Sequence, residues 1–351
     1  MQPFIYLRGL RHVDHSVFCV ENGQKFYWDP VFNNQVPYSS GQQVKRGVLS
    51  EINMELKSHA SPVTFVFDLN NKGALGEGEV LSICDPQYYD QLFGGWMRAA
   101  KGGKERTLKR RSPFSISAMR AVHPLLAGRY QENATFDRSE NPKQHHVIVR
   151  DPKGQQLDEA EINRLLEGTD RSLYRKWIPG NARATGLFIY DVAIDLRTLF
   201  CVTTNQLEPE ITPEKIEELK SKGWIESKNA FGECLVMPKQ LRDKAIPAIA
   251  KALVEWRITS NQARTFSLME TLAVAISQDP NDLAAAIRAK LLEETERPKA
   301  KLIIDANTDA DIYVTLPCAA YTPTEIESAT AIKDAEKKLE ELLFAFDYEN
   351  Q

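Results

Sequence analysis

Cysteine is scarce here, and its pattern excludes more than its number. The five cysteines (Cys19, Cys84, Cys201, Cys234, Cys318) are scattered through 351 residues and never fall in a C-x-x-C spacing. Neither a disulfide framework nor a zinc site is expected from that pattern, and a reducing cytoplasm fits it best. No stretch of about 18 or more apolar residues occurs, so no membrane partner is expected. The start, Met1-Gln2-Pro3-Phe4-Ile5-Tyr6-Leu7, lacks the charged region and small-residue cleavage site of a secretory signal and reads as a first β-strand. There is no G-x-x-x-x-G-K-S/T phosphate loop, no G-x-S-x-G elbow and no supported Cys–His arrangement. His12 and His15 would share a metal only on a helix, whereas that segment reads as strand or turn. No cofactor or metal is expected, and small-molecule enzymology finds no foothold.

What is present is ordinary in bulk and uneven in detail. An apolar fraction of 42% and a charged fraction of 26% are those of a globular protein, and the length suggests roughly two domains of ~150 residues each. Net charge is −4. Between Arg98 and Arg120, however, eight basic residues (Arg98, Lys101, Lys104, Arg106, Lys109, Arg110, Arg111, Arg120) face one acidic residue, Glu105. A cationic patch on an acidic body is the asymmetry of a protein that touches phosphate at one face. Charge alone leaves two readings open, a solvated loop and a phosphate-binding surface.

Along the chain, residues 4–19 alternate as a strand does. Asn22-Gly23 supplies a tight hairpin turn, with Gln24-Lys25-Phe26-Tyr27-Trp28 as the returning strand. Ser39-Ser40-Gly41 precedes residues 42–56, where Val44, Val48, Leu49, Ile52 and Leu56 recur at helical spacing. A serine there caps the helix, and its first-turn amides suit a phosphate. Residues 63–69 form a β-type run. From there to about residue 181 the pattern is irregular and reads as functional insertions or extended arms. Gly73-Ala74-Leu75-Gly76-Glu77-Gly78 lies in it as a loop hinge, without the setting of a dinucleotide fingerprint. Residues 186–195 read as a strand, 213–222 and 238–257 as helices, and 272–276 as an apolar run. A helix over 280–296, strands over 301–304 and 311–316, and an amphipathic helix over 325–346 complete the chain. Uneven alternation of this kind favours an α+β sheet decorated by arms over a doubly wound fold. Asp29, in Trp28-Asp29-Pro30, has two readings: an Asx-type turn, or a carboxylate that activates an RNA 2′-hydroxyl.

Three local segments carry a resemblance. Leu92-Phe93-Gly94-Gly95-Trp96-Met97 resembles the LFG-x-M segment in the repeating backbone subunits of type I CRISPR (Cascade) complexes, the DevR-type branch of the RAMP superfamily. Thr107-Leu108-Lys109-Arg110-Arg111-Ser112-Pro113-Phe114-Ser115-Ile116-Ser117 resembles that branch's RxSPxxxS stretch. Ser260-Asn261-Gln262-Ala263-Arg264 resembles its GGANxAR motif, with Thr259-Ser260 where paired glycines are common.

The resemblance implies an RRM-like (ferredoxin-like) palm with finger and thumb insertions in a right-hand shape: palm 1–70 and 183–351, fingers 71–118, thumb 119–182. It implies a non-catalytic subunit that stacks with further copies of itself into a filament along crRNA, presents that guide to target DNA, and meets other CRISPR effector subunits. The RNA contacts it implies are Gln42, Lys45 and Arg46 on the helix after Ser39-Ser40-Gly41, and Arg98, Lys109, Arg110, Arg111, Ser112, Met119, Arg120 and Arg264. The residue chemistry agrees. Lys45 and Arg46 stand near the positive end of a helix, and the guanidinium groups of Arg110 and Arg111 suit phosphate bidentately. Met119 is a flexible apolar wedge, while Phe114 and Trp96 suit either base stacking or the core. A type III-like subunit that cuts target RNA with Asp29, and a stand-alone RNA-binding protein, are the alternatives. Against the first, Val36-Pro37-Tyr38-Ser39-Ser40-Gly41-Gln42-Gln43 replaces the type III PGSSLKG loop.

Overall fold

The computed structural model describes residues 2–18, 24–100, 106–140, 142–258, 266–292 and 298–351. The first strand, β1 (Phe4–Ser16), sets the two faces of the fold. Ile5, Leu7, Arg11 and Val13 are buried on one side, and Phe4, Tyr6, Arg8 and His12 are partly exposed on the other, as a two-residue period requires. β2 (Phe26–Asp29) does not return along β1 as the sequence suggests. It pairs with β3 (Asn34–Ser39) through a turn at Asp29, and the Asn22-Gly23 turn lies outside the described residues. Helix α1 (Gly41–Glu55) follows, buries Val44, Val48 and Ile52, and matches the expected helix within a residue.

β4 (Val63–Val66) and β5 (Glu79–Ser82) form a hairpin whose tip holds the Gly73–Gly78 loop. Then come α2 (Tyr89–Gly94), β6 (Trp96–Arg98), β7 (Leu108–Arg110), β8 (Phe114–Ile116) and β9 (Met119–Ala121). The irregular middle proves ordered at its base. β10 (Ala127–Asp137) pairs with the first half of β11 (Arg175–Asp195) as a long arm, and between them lies α3 (Glu159–Leu166), closed by an Asp158/Glu161 capping box. The second half of β11 is the strand expected over 186–195, and it pairs with β1. The expected domain limits at 70 and 182 therefore fall inside one hairpin and one strand.

β12 (Cys201–Thr203), α4 (Pro213–Ser221), β13 (Ile225–Asn229) and β14 (Gly232–Val236) make a small side layer. The long helix α5 (Lys239–Glu255) then leads to β15 (Thr271–Ser277), which pairs with β1 on its other side. α6 (Pro280–Ala286) is shorter than the helix expected over 280–296. From Ile287 the chain alternates apolar and charged residues, and it becomes β16 (Ile287–Leu292) paired with β17 (Lys299–Ile304). Tertiary pairing here overrides the helical preference of alanine and leucine. β18 (Asp311–Thr315), β19 (Glu327–Ser328) and α7 (Ala331–Phe344) end the chain. α7 starts later than residue 325 because residues 327–328 are drawn into a parallel pairing with β18.

The large sheet runs β19-β18-β15-β1-β11-β9-β3-β2. One face is covered by α1, α5 and α7, whose buried residues share a core with Ile5, Leu7, Phe188, Tyr190 and Val274. A second cluster, with Leu10, Ile189, Leu283, Ile287 and Leu302, joins α6 and the β16–β17 hairpin to the opposite face. Arg11 ties the first face together. Its guanidinium donates to the carbonyls of Val254 (2.6 Å) and Trp256 (2.5 Å) at the end of α5 and lies 4.4 Å from the Trp256 ring. It thereby satisfies carbonyls that a helix end leaves open.

Candidate nucleic-acid interface

A serine cap and a glycine fix the start of α1. Ser40 Oγ accepts from the Gln43 amide (3.3 Å), and a Cβ on Gly41 would stand 2.5 Å from the Ile116 carbonyl. The turn is thus pressed against the chain between β8 and β9, where β3 pairs Tyr38 with Arg120 and Ser39 with Met119. The cap takes the Gln43 amide, so that donor is not open to a ligand. Gln42 and Arg46 are exposed and Lys45 is half-buried. Burial pushes the Lys45 amine below the ordinary lysine range. Among the described residues, no carboxylate lies within ion-pair distance of Lys45 or Arg46.

Arg120 stands on the other side of the same junction. It is 40% exposed, and its Nη1 donates to Asp191 Oδ2 at 3.1 Å. Asp191 also receives Arg8, from Nε at 2.6 Å and Nη2 at 3.2 Å. Two guanidinium groups on one carboxylate leave a net positive charge and orient Arg120. Beside them is a cleft of about 410 Å³ lined by Tyr6, Arg8, Ser115, Ser117, Asp191 and Leu283. Arg8 and Asp191 were not among the residues expected from sequence. Their signal was a charge at an apolar-strand position on each of two long strands.

The dense basic stretch folds differently from its expectation. Arg110 is a core residue, with its side chain 1% exposed. It donates to Glu210 (3.0 Å), to the Leu92 carbonyl (3.2 Å) and to the Thr198 carbonyl (2.8 Å), which leaves its guanidinium engaged on every nitrogen. Ser112 is also taken: its hydroxyl lies 2.7 Å from the Phe93 carbonyl and accepts from the Phe114 amide at 3.1 Å. Met119 is fully buried among core residues, so it has no surface from which to wedge between bases. Phe114 stacks on Phe93, and Trp96 donates to the Glu210 carbonyl, so both belong to the core. Arg106 turns back onto the carbonyls of Gln206 and Leu207. Lys109 and Arg111 are exposed and Arg98 is partly so. Arg264, with Lys101, Lys104 and the whole segment Ser260-Asn261-Gln262-Ala263-Arg264, lies outside the described residues.

The first two motif segments are thereby one structural unit. β6 pairs Trp96 with Arg110, Arg110 and Ser112 bond to the end of α2, and Gly95 has φ 77°. A Cβ on Gly95 would lie 2.7 Å from the Arg110 carbonyl, so only glycine fits there.

Asp29 Oδ1 accepts from the amides of Val31 (3.1 Å) and Phe32 (2.9 Å), the Asx-turn arrangement. His12 Nδ1 lies 2.7 Å from Glu270 Oε1. Among the described residues, no group of three or more metal-ligating side chains occurs, and no helix is long and apolar enough to cross a membrane.

No family model matches the sequence, and no curated protein matches it. Among solved structures, the chain is similar to one of a "CRISPR RNA-guided surveillance complex, pre-nicking" at 9% identity and a TM-score of 0.42, over 97% of this chain and 88% of that one. It is similar to one of a "CRISPR RNA-guided surveillance complex" at 13% identity and a TM-score of 0.39, over 95% of this chain and 99% of that one.

Proposed function

We propose that this protein is a non-catalytic, guide-RNA-binding backbone subunit of a type I CRISPR surveillance complex, of the DevR-type RAMP branch. Copies stack along crRNA, present it for pairing with target DNA and contact other effector subunits. The observation that carries the RNA-binding part is the start of α1, where Gln42 and Arg46 are exposed and Lys45 is half-buried, with no described carboxylate neutralising the two helix cations. Such contacts hold phosphate without reading bases. Lys109 and Arg111, both exposed, and Arg98, partly exposed, are further phosphate contacts on this reading.

The RRM-like palm is supported by connectivity. β1, α1, β9, β11, α5 and β15 follow in chain order, the sheet order is β15-β1-β11-β9, and α1 packs on α5. This is the β-α-β-β-α-β arrangement of a ferredoxin-like unit. On this reading the β10–β11 arm is the body of the thumb, and the fingers begin with the β4–β5 hairpin. Asp29 is assigned no catalytic part, and its Oδ1 accepts the turn amides of Val31 and Phe32. Asp29→Ala is expected to leave target RNA handling by the assembled complex unchanged.

Mass measurement of the protein with and without a guide-length RNA tests the proposal. Several copies per RNA, independent of RNA sequence, is the expected result. One copy per RNA, or no binding, would sink it.

A further inference from the structure

The β16–β17 hairpin carries charge that neither the core nor α1 accounts for. Its register pairs Arg288 with Ile303, Lys290 with Lys301 and Leu292 with Lys299. Cross-strand partners share a face, so Arg288, Lys290, Lys299 and Lys301 stand together. The other face carries Ile287 and Leu302, which are buried against the sheet. The cationic face therefore points outward, and all four cations are exposed. Asp305 holds Arg288 at 3.0 Å. Among the described residues, no carboxylate pairs with Lys290, Lys299 or Lys301. Glu293, Glu294, Glu296 and Arg297 lie outside the described residues.

Lys290 directly opposite Lys301 is a like-charge pair that weakens a two-stranded ladder. A covering polyanion relieves that repulsion. Residues two apart on a strand are separated by about 6.6–6.8 Å, close to the spacing of successive phosphates on an extended nucleic-acid strand. We propose that this face is a second nucleic-acid surface, which grips phosphate backbone without base selectivity. It lies on the side of the sheet opposite α1, where it meets a different stretch of nucleic acid. It rests on the preceding reading only in taking nucleic acid as the partner.

Lys290→Glu separates binding from folding, because it replaces the repulsion by an opposite-charge pair with Lys301. Fluorescence anisotropy with a guide-length RNA, and with that RNA paired to complementary DNA, reads the effect. The expected result is a thermal midpoint unchanged or raised, with weaker binding to at least one probe. The slope of log affinity against log salt then becomes shallower by about 0.7–0.9 for each phosphate that the variant no longer neutralises. Lys290→Gln/Lys301→Gln removes the charges without creating a pair, and it gives the same reading if charge reversal disturbs the fold. Unchanged affinity and slope for both probes in a folded variant overturns the proposal. Lys45→Ala/Arg46→Ala is measured alongside. Weakening confined to that variant removes the hairpin surface and leaves the α1 reading, whereas weakening confined to the hairpin variants does the converse.

Discussion

Arg110 and Lys290 each occupy a short strand among other cations, yet the Arg110 side chain is 1% exposed while Lys290 faces solvent. The difference lies in what surrounds them. Arg110 meets a carboxylate and two main-chain carbonyls that need donors, and it lies over the Trp96 ring at 5.7 Å. Lys290 meets another lysine across its ladder. A guanidinium with its donors matched can be buried, whereas an ammonium facing an ammonium has no inward solution. Density of charge in a sequence thus says little about availability. The pairing of each cation decides it.

The contrast breaks most visibly at Arg110. Arg110→Ala leaves Glu210 and two carbonyls without their donor, and it is expected to cost about 3–5 kcal/mol in denaturant unfolding, the scale for removing one member of a buried pair. The neighbouring Arg111→Ala, on an exposed side chain, is expected to change stability by no more than about 0.5 kcal/mol. Equal effects from the two would contradict the core assignment.

Met119→Ala comes next. Its side chain is fully buried, so a destabilisation of about 2–5 kcal/mol is expected, with RNA affinity of the folded fraction preserved. Reduced affinity at unchanged stability would return Met119 to the surface role that the sequence suggests.

The smallest effect is one of pH. Burial lowers the Lys45 pKa from 10.5, so the folded protein releases this proton more readily than the unfolded chain. Stability therefore rises with pH through the window between the lowered value and the unfolded one. On the proposed reading RNA affinity is expected to move the other way, because a neutral amine would no longer attract phosphate. Lys45→Arg, charged throughout, is expected to flatten the alkaline fall of affinity. A fall that persists in Lys45→Arg would assign the titration elsewhere.

Much of the scaffold was legible because period and turn chemistry agree in those segments. Val44, Val48 and Ile52 carry a helical stripe behind a serine cap, and Ile5, Leu7 and Val13 mark one face of β1. Residues 280–296 misled because Ala284-Ala285-Ala286 favours helix while the following alternation obeys a strand. The candidate site was half legible. The open cations of α1 follow from position alone. The burial of Arg110 and the engagement of the Ser112 hydroxyl depend on Glu210, Thr198, Leu92 and Phe93, partners that lie 18 or more residues away. Asp191 and Arg8 meet across 183 residues, beyond any local pattern.

The most direct measurement is a salt titration of RNA binding by Lys45→Ala/Arg46→Ala beside the parent protein, with guide-length RNAs of unrelated sequence. The expected result is weaker binding to every RNA alike, with a slope shallower by about 1.4 for two single-strand phosphates. Unchanged affinity and slope, or weakening confined to one RNA sequence, would contradict the claim that α1 holds the RNA backbone.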